Sequence, residues 1–275
     1  MRQILTIDPA KEVKNITDFI KDYFVDNGNE DTKAVIGISG GKDSTIAAAL
    51  LCRAIGPERV LGVLMPQGIQ EDIRDAYRVC EILGIHYIEV NIGPACQALY
   101  NGINEGDPSA LYPIEMNSMV ATNTPARIRM TTLYAIAAEV GGRVVNTCNW
   151  SEDYVGYSTK YGDAAGDFTI LGNYTVTEVL QIGHELGLPA ELVDKIPADG
   201  MCGKTDEENL GFTYAELDNY IRNEEQPDYD TLRKIQKAHK TSRHKRRAIK
   251  LCGPYPRFIR INADTGETLP GEWDF

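Results

Sequence analysis

The chain has 275 residues, of which 43% are hydrophobic, and a formal net charge of −12 at pH 7. This hydrophobic content is enough for a sizeable core and excludes intrinsic disorder as the first expectation. The negative charge argues against nucleic acid as a partner, because proteins that bind DNA or RNA usually need a basic surface.

In chain order, residues 10–26 predict an amphipathic helix, because their apolar residues recur at spacings of three and four. Short apolar runs, typical of strands buried on both faces of a sheet, then alternate with helical patterns. The strands are predicted at 34–39, 60–66 and 86–92, and the helices at 44–55 and 70–83. This β-α-β-α-β order indicates right-handed crossovers and an α/β fold, a doubly wound parallel sheet with helices on both faces.

A long helix follows, predicted to start at Asn123-Thr124-Pro125 and to end near residue 140. Pro125 would then occupy the first turn, where its missing N–H costs nothing. The apolar residues of this helix lie on more than one side, so we expect it deep in the core or against a second chain. A strand is predicted at 143–148, and the aperiodic segment 149–174 indicates a functional or mobile loop.

The rest of the chain is predicted to be a helical extension of the α/β unit. The expected elements are a helix at 175–187, a loop at 197–205, helices that start at the capping-box patterns Thr205-x-x-Glu208 and Thr213-x-x-Glu216, and a basic helix at about 230–250. A tail rich in proline and glycine follows. We expect all of these elements to form a single domain, residues 1–275.

The six cysteines are widely spaced, and no two of them form a CxxC pair. This spacing favours a reduced cytoplasmic protein over a disulfide scaffold or a zinc site. The N-terminal segment has no long apolar region of the kind found in signal peptides. No stretch reaches the ~18 consecutive apolar residues of a membrane span, so we expect no membrane partner.

The segment Ser39-Gly40-Gly41-Lys42-Asp43-Ser44 lies on a predicted strand-to-helix turn. It is neither a Walker loop nor a GxGxxG motif, because Lys42 is followed by Asp43 and the glycine spacing differs. The paired glycines let the backbone approach an anion, and the helix N-terminus offers free N–H groups. Asp43 would repel a phosphate unless a cation lay between them, so the segment predicts a polyphosphate with bound Mg²⁺.

This segment resembles the pyrophosphate-binding loop of the ATP pyrophosphatases, which transfer AMP to a substrate and release pyrophosphate. Four further segments resemble the ammonia-dependent NAD synthetases of that group. They are NTPARIRM at 123–130, NTCNWSED at 146–153, STKYGDAAGD at 158–167 and SRHKRR at 242–247. The resemblance covers about residues 10–250 and implies an adenine nucleotide alpha hydrolase-like fold with a C-terminal helical extension.

The resemblance implies a ligase reaction in two steps. The carboxylate of nicotinic acid adenine dinucleotide (deamido-NAD) attacks the α-phosphate of ATP, and ammonia then displaces AMP to give NAD. Mg²⁺ is the implied cofactor, ATP the co-substrate and a homodimer the implied assembly. A glutaminase domain is not expected, so the ammonia is expected to be free or supplied by another protein.

The same resemblance assigns roles to individual residues. ATP contacts are expected from Gly37, Ile38, Ser39, Gly40, Gly41, Lys42, Asp43, Ser44 and Thr147. Contacts to deamido-NAD are expected from Arg127, Lys160, Asp167, His244 and Lys245. Asp43 and Glu152 are the expected Mg²⁺ ligands. Catalytic roles are expected for Asp43, Lys160 and Asp163, with Asp163 orienting ammonia or accepting a proton from ammonium.

Two positions depart from the family pattern. Val176 replaces a lysine and Ala198 replaces a threonine, both of which contact ATP in the family. Each loss is expected to weaken phosphate binding by an amount on the order of 1–3 kcal/mol, and Lys204 or Thr205 are candidates to replace these groups. Two alternatives stay open: another ATP pyrophosphatase that modifies tRNA, and a nucleotide-binding relative with weakened catalysis.

Overall fold

A computed structural model describes residues 7–70, 73–106, 117–195 and 205–247, and the backbone alone at 259–261 and 268–270. Five strands form a parallel sheet in the order β3-β2-β1-β4-β5. The strands are β1 (Ala34–Gly37), β2 (Val60–Leu64), β3 (His86–Glu89), β4 (Arg143–Asn146) and β5 (Phe168–Thr169). The predicted α/β class with a parallel sheet is confirmed.

Eleven α-helices are described. They are α1 (Pro9–Asn27), α2 (Lys42–Ile55), α3 (Ile73–Leu83), α4 (Gly93–Glu105), α5 (Ser118–Val140), α6 (Trp150–Val155), α7 (Val176–Glu185), α8 (Ala190–Val193), α9 (Asp206–Leu210), α10 (Tyr214–Asn223) and α11 (Tyr229–Thr241). A short antiparallel hairpin, β6 (Ile259–Ile261) and β7 (Thr268–Pro270), lies in the C-terminal tail.

Several sequence predictions were wrong in their boundaries. Helix α5 begins at Ser118, ahead of the predicted start, because the Asn117 side chain accepts a hydrogen bond from the N–H of Val120 and caps it there. Pro125 therefore lies inside the helix and not in its first turn. Helix α4 was not predicted, and α11 ends at Thr241 instead of continuing towards residue 250.

The predicted loop at 149–174 was also partly wrong, because it contains α6 and β5. Both elements are very short, so neither can show a clear hydrophobic period. Helix α6 is instead started by a capping box between Asn149 and Glu152. The capping boxes predicted at Thr205 and Thr213 are confirmed at the starts of α9 and α10.

Both faces of the sheet are covered, as the continuous apolar strands predict. Ile36 in β1 faces a large core formed with α1, α2 and α7, whereas the neighbouring Val35 faces a smaller core formed with α4 and α5. Helix α5 is not deep in the core, because many of its apolar residues, such as Ile128 and Leu133, are only partly buried. A third apolar cluster joins α6, α10 and α11 to the start of α7.

The order of the strands fixes where a ligand can bind. The chain runs outward from β1 to β2 and β3, and then returns to place β4 on the other side of β1. In open α/β sheets, this reversal leaves a crevice at the carboxyl ends of the two strands. The turns after β1 and β4 therefore enclose the expected site.

Two further predictions concern membrane-spanning segments and the cysteines. Among the described residues, no helix has both the length and the apolar character to cross a membrane. The four cysteines in the described ranges, Cys52, Cys80, Cys96 and Cys148, are free thiols. Burial raises the pKa of Cys80 to about 11, which keeps this thiol protonated and unreactive near neutral pH.

A half-buried ion pair, in which Glu178 is the buried partner, holds α10 against α7. The Arg222 guanidinium donates from Nε to Glu178 Oε1 (2.9 Å) and from a terminal nitrogen to Glu178 Oε2 (2.8 Å). Glu178 Oε2 also accepts a hydrogen bond from the N–H of Thr175, the residue that caps α7 (2.7 Å). The pair thus fixes the helix that begins beside the site.

We expect Arg222→Leu to lower the free energy of unfolding by about 2–4 kcal/mol, because it leaves the carboxylate of Glu178 without its cation. Arg78→Leu is the control, since Arg78 pairs with Glu191 on an exposed surface and should cost less than about 1 kcal/mol. Urea unfolding of both variants measures the difference. Equal losses of unfolding free energy would show that the Arg222–Glu178 pair does not stabilise the packing of α10 on α7.

Candidate functional site

The turn after β1 forms an anion-binding loop. Ser39 and Ser44 shape it from within: the Ser39 N–H donates to Ser44 Oγ (3.3 Å), and the Gly41 N–H donates to Ser39 Oγ (3.2 Å). Helix α2 begins at Lys42 with Gly41 at its N-cap, and no side chain caps it. Free N–H groups and the positive end of the helix dipole therefore face the crevice.

Gly40 presses this loop against α3. Its φ of +77° lies in the left-handed region, and a Cβ at this position would lie 2.8 Å from the backbone nitrogen of Ala76. The Lys195 ammonium braces the same contact, because it pairs with Asp75 Oδ2 (2.5 Å) and lies 3.4 Å from the carbonyl oxygen of Gly40. The position therefore admits no side chain without displacing the loop.

Asn149 connects the turn after β4 to the turn after β1. Its Nδ2 donates to Asp43 Oδ1 (3.1 Å), while its Oδ1 accepts from the N–H of Glu152 (3.0 Å). Glu152 Oε2 in turn accepts from the N–H of Asn149 (3.2 Å). Asp43 and Glu152, which are distant in the sequence, are thereby held at one place in the crevice.

The electrostatics of this pair favour a cation. Burial raises the pKa of Glu152 well above its usual range, and the nearby charge of Asp43 adds to the rise. The Lys42 ammonium, buried and 2.7 Å from Asp43 Oδ2, offsets part of the negative charge. Burial alone would lower the pKa of Lys42, but the neighbouring carboxylates of Asp43 and Glu152 outweigh it and raise the pKa, so this ammonium stays charged.

The same donor set suits Mg²⁺ bound to a polyphosphate. Mg²⁺ in nucleotide sites takes one or two carboxylates and completes its shell with phosphate oxygens and water. Asp43 and Glu152 supply two hard oxygen donors beside an anion-binding helix start. Among the described residues, no group of three or more metal-ligating side chains forms a cage made of protein alone.

A second cluster of the site is basic and gathers residues from three parts of the chain. Arg127 of α5 donates from Nε to the carbonyl oxygen of Lys160 (3.3 Å), and Lys160 Nζ donates to the carbonyl oxygen of His244 (2.7 Å). Lys245 Nζ donates to the carbonyl oxygens of Gly156 (2.8 Å) and Ser158 (2.6 Å). Four of the five residues predicted to contact deamido-NAD are thus brought together.

Lys245 has no carboxylate as a hydrogen-bond partner among the described residues. Burial lowers the pKa of Lys245 and the positive charge of Arg127 lowers it further, while Asp163 acts in the opposite direction. The described partners of Lys245 are carbonyl oxygens, which carry no net charge. Such an arrangement favours an anionic ligand, whose charge would relieve the repulsion between the cations.

Asp163 lies beside the basic cluster, where its charge acts on Lys245. Asn146, the last residue of β4, donates from Nδ2 to the carbonyl oxygen of Asp163 (2.9 Å), and Asp163 Oδ1 accepts from the N–H of Thr159 (2.9 Å). The side chain keeps an exposed face. Loss of hydration raises the pKa of Asp163, whereas the N–H of Thr159 and the charge of Lys245 favour the carboxylate. A carboxylate in this setting is suited to proton transfer.

Asp167 has other partners. Its Oδ2 accepts from the N–H of Val144 (2.7 Å) and its Oδ1 from the hydroxyl of Tyr134 (3.2 Å). The described contacts of this carboxylate therefore support the junction of β4, β5 and α5, and none joins it to the basic cluster. Its contact with deamido-NAD stays a prediction.

Thr147 and the positions that depart from the family pattern make no described contact that supports nucleotide binding. Thr147 follows β4 at the crevice and is half-buried, and its contact with ATP stays a prediction. Val176 is buried in the third apolar cluster, so it offers no polar group to a nucleotide. Ala198 and Lys204 lie outside the described residues, whereas Thr205 is used to cap α9.

Sequence reasoning missed Asn149 and Asn146, the two residues that position the acidic and proton-transfer groups. A signal for Asn149 was present, because Asn149-x-x-Glu152 directly follows a predicted strand and is a capping-box pattern. No comparable signal marks Asn146, since its partner Asp163 is distant in the sequence.

Known proteins share this architecture. The sequence model of the NAD synthase family matches residues 12–249. The NH(3)-dependent NAD(+) synthetase of Thermococcus sibiricus is 41% identical over 218 residues, which are 78% of this chain and 81% of that protein.

Two solved structures have closely similar folds. The NMN synthetase from Francisella tularensis superposes with a TM-score of 0.81 at 30% identity, over 91% of this chain and 100% of that chain. The NH3-dependent NAD synthetase from Campylobacter jejuni, in complex with the nitrate ion, superposes with a TM-score of 0.74 at 25% identity, over 90% and 100% of the two chains.

We expect Gly40→Ala to lower the free energy of unfolding by about 2–4 kcal/mol, because the methyl group collides with the α3 backbone in addition to the strain of a positive φ. Gly84→Ala is the matched control: Gly84 also has a positive φ, but nothing lies within 4 Å of its Cβ position, so only strain of about 1 kcal/mol is expected. Urea unfolding compares the two. Equal losses would mean that the loop moves freely away from α3.

Proposed function

This chain belongs to the NAD synthase family, and on that premise we propose that it amidates deamido-NAD with ammonia at the expense of ATP. It is a ligase that forms a C–N bond. The observation that carries the proposal is the pairing of two clusters of opposite charge at the carboxyl end of β4. An acidic pair lies beside a free helix start, and a basic group lies around Lys160, with Asp163 beside Lys245 of the basic group.

The acidic side of the crevice suits ATP. We propose that the N–H groups at the start of α2 bind the β- and γ-phosphates and stabilise the departing pyrophosphate. Asp43 and Glu152 would hold Mg²⁺ there, and this ion supplies charge neutralisation on the polyphosphate. Asn149 keeps both carboxylates in place throughout. The bond that breaks is therefore the one between the α- and β-phosphates.

The basic side suits the acid dinucleotide. Arg127, Lys160 and Lys245 would hold its phosphates, so that its carboxylate oxygen attacks the α-phosphate and pyrophosphate leaves. Ammonia then attacks the carbonyl carbon of the acyl-adenylate, AMP leaves, and Asp163 accepts the proton that the new amide gives up. Asp163 is suited to this role because it is exposed on one side and held at its backbone by Asn146.

The test is an assay of the full chain with ATP, Mg²⁺ and deamido-NAD, with either ammonium or glutamine as the nitrogen source. We expect NAD, AMP and pyrophosphate in equal amounts with ammonium. Absence of AMP would contradict the proposal. ATP binding without pyrophosphate release would favour the weakened nucleotide-binding relative instead.

A second candidate is amidation of the acid mononucleotide, which would make NMN. The NMN synthetase from Francisella tularensis favours it, since that structure superposes with a higher TM-score than the NAD synthetase from Campylobacter jejuni. The curated relative at 41% identity, by contrast, is an NAD synthetase and supports the dinucleotide. The ratio of kcat/KM for the two acids, measured in the same assay, decides between them.

We further propose that the active form is a cytoplasmic homodimer, with residues 1–275 acting as one domain. Helix α5 supports a second copy as the partner, because Ile128, Leu133 and Ile136 are only partly buried in the single chain and Met119 is 68% exposed. A second copy packed on α5 would also lie next to Arg127, which is on the same helix.

We expect Arg127→Ala to raise the KM for the acid dinucleotide by about tenfold and the KM for ATP by much less, because one charge-assisted contact is lost on one side of the site. Arg233→Ala is the control, since Arg233 lies over the ring of the exposed Tyr229 on α11. An unchanged dinucleotide KM in Arg127→Ala would refute the role of this residue.

We expect the chain to be a dimer by light scattering and Ala135→Arg to be a monomer with unchanged circular dichroism, because Ala135 is exposed on α5 and an arginine there would be buried against a copy. Ala190→Arg, at the exposed start of α8, should leave the mass unchanged. A monomeric unmodified chain would contradict the proposed assembly.

A further inference from the structure

Tyr214 is the first residue of α10 and is only 4% exposed. Within the described part of the chain, its hydroxyl is the only buried side-chain oxygen or nitrogen without a hydrogen-bond partner. Leaving such a group unpaired costs about 1–3 kcal/mol, so native structures rarely do so without a reason. The hydroxyl therefore calls for an explanation outside the packing of the apolar cluster to which the ring belongs.

The ring lies beneath the polyphosphate side of the crevice. Lys42 Nζ is 5.9 Å from its centroid, and Lys42 is the first residue of α2. Burial, and then the charges of Glu152, Asp206 and Asp43, raise the pKa of Tyr214. The hydroxyl is consequently a permanent hydrogen-bond donor beside the residues expected to hold ATP and Mg²⁺.

The position of the ring is set by contacts that do not involve the hydroxyl. The N–H of Tyr214 donates to Glu207 Oε1 (2.8 Å), and one turn later the buried Asp218 accepts from Ser151 Oγ (2.5 Å) and from the N–H of Thr177 (2.8 Å). These bonds fix the start of α10 against α6 and α7. The position of the hydroxyl is thus fixed by the packing of α10, although the hydroxyl itself makes no hydrogen bond.

The nearby side chains do not use this donor. The Asp43 carboxylate is occupied by Lys42 and Asn149, and Glu152 accepts from the N–H of Asn149. The missing partner must be an acceptor that is compatible with the ammonium of Lys42 and with a cation at Asp43. A phosphate oxygen meets both conditions.

We propose that the Tyr214 hydroxyl is a further ATP-binding group, which donates a hydrogen bond to an oxygen of the departing pyrophosphate. The inference rests on the proposed function and deepens it. In the free chain Lys42 lies over the ring and the hydroxyl is closed off from solvent. Binding of the polyphosphate draws the ammonium from Asp43 to the phosphates and opens the way to the hydroxyl.

The test is Tyr214→Phe, which keeps the ring and removes only the hydroxyl. Calorimetry on the full chain should show Mg²⁺–pyrophosphate and Mg²⁺–ATP binding about 5- to 20-fold more weakly. Urea unfolding without ligand should show no loss of stability, because the hydroxyl made no bond in the free chain. Unchanged affinities would make Tyr214 a core residue only and overturn the inference.

Tyr220→Phe is the matched control, because Tyr220 lies on the same helix and its hydroxyl is bonded to Tyr154. It should leave pyrophosphate affinity unchanged. A titration with Mg²⁺ alone tests whether the lost affinity arises from the metal and not from the phosphate. If Tyr214→Phe weakens Mg²⁺ binding equally, the hydroxyl contacts the water shell of the metal, and the phosphate contact is wrong.

The two proposals fail separately. If the chain binds pyrophosphate in a Tyr214-dependent manner but forms no amide, the proposed function is wrong and this inference stands. If the chain forms NAD and Tyr214→Phe binds pyrophosphate normally, only this inference is wrong.

Discussion

The hydrogen bond from Asn149 Nδ2 to Asp43 Oδ1 is the interaction on which the site depends. It spans the crevice between β1 and β4, where the direction of the chain reverses. Because the same side chain also caps α6 and so places Glu152, one asparagine sets the separation of both carboxylates. The sheet supplies the crevice, and this amide converts it into a site with a defined charge.

The rest of the site follows from the need to bring two anions together. In the proposed reaction, the carboxylate of one substrate must reach the phosphate of another, and their charges repel. The structure supplies helix N–H groups at the start of α2 and cations in the basic cluster. The ammonium groups of Lys160 and Lys245 are held there by backbone carbonyls. Preorganised charge of this kind needs no rearrangement when the reaction begins. The negative charge of the protein as a whole is thus compatible with anionic substrates.

The architecture could be predicted from the sequence because short, local patterns of residues indicate it. Apolar strands mark the sheet, and the glycine pair marks the turn after β1. What could not be predicted depends on distant partners: Tyr214 shows its unused hydroxyl only once α10 is packed beneath Lys42. The misplaced start of α5 has a different cause, since Pro125 is a stronger local signal than the Asn117 cap that decides the outcome.

Four helices around the site, α6, α7, α9 and α10, begin with a capping box. Each capping box links residues that are three apart, so its formation costs little loop-closure entropy. The pairing of β1 with β4 closes a loop of roughly a hundred residues and costs more. The consequence is kinetic. We expect these helix starts to acquire structure before the sheet is complete. In pulsed hydrogen exchange, their amides should therefore become protected earlier than the amides of β1, and simultaneous or later protection would contradict this expectation. The groups proposed to surround the nucleotide would then be assembled on helix starts that are already ordered when the crevice closes.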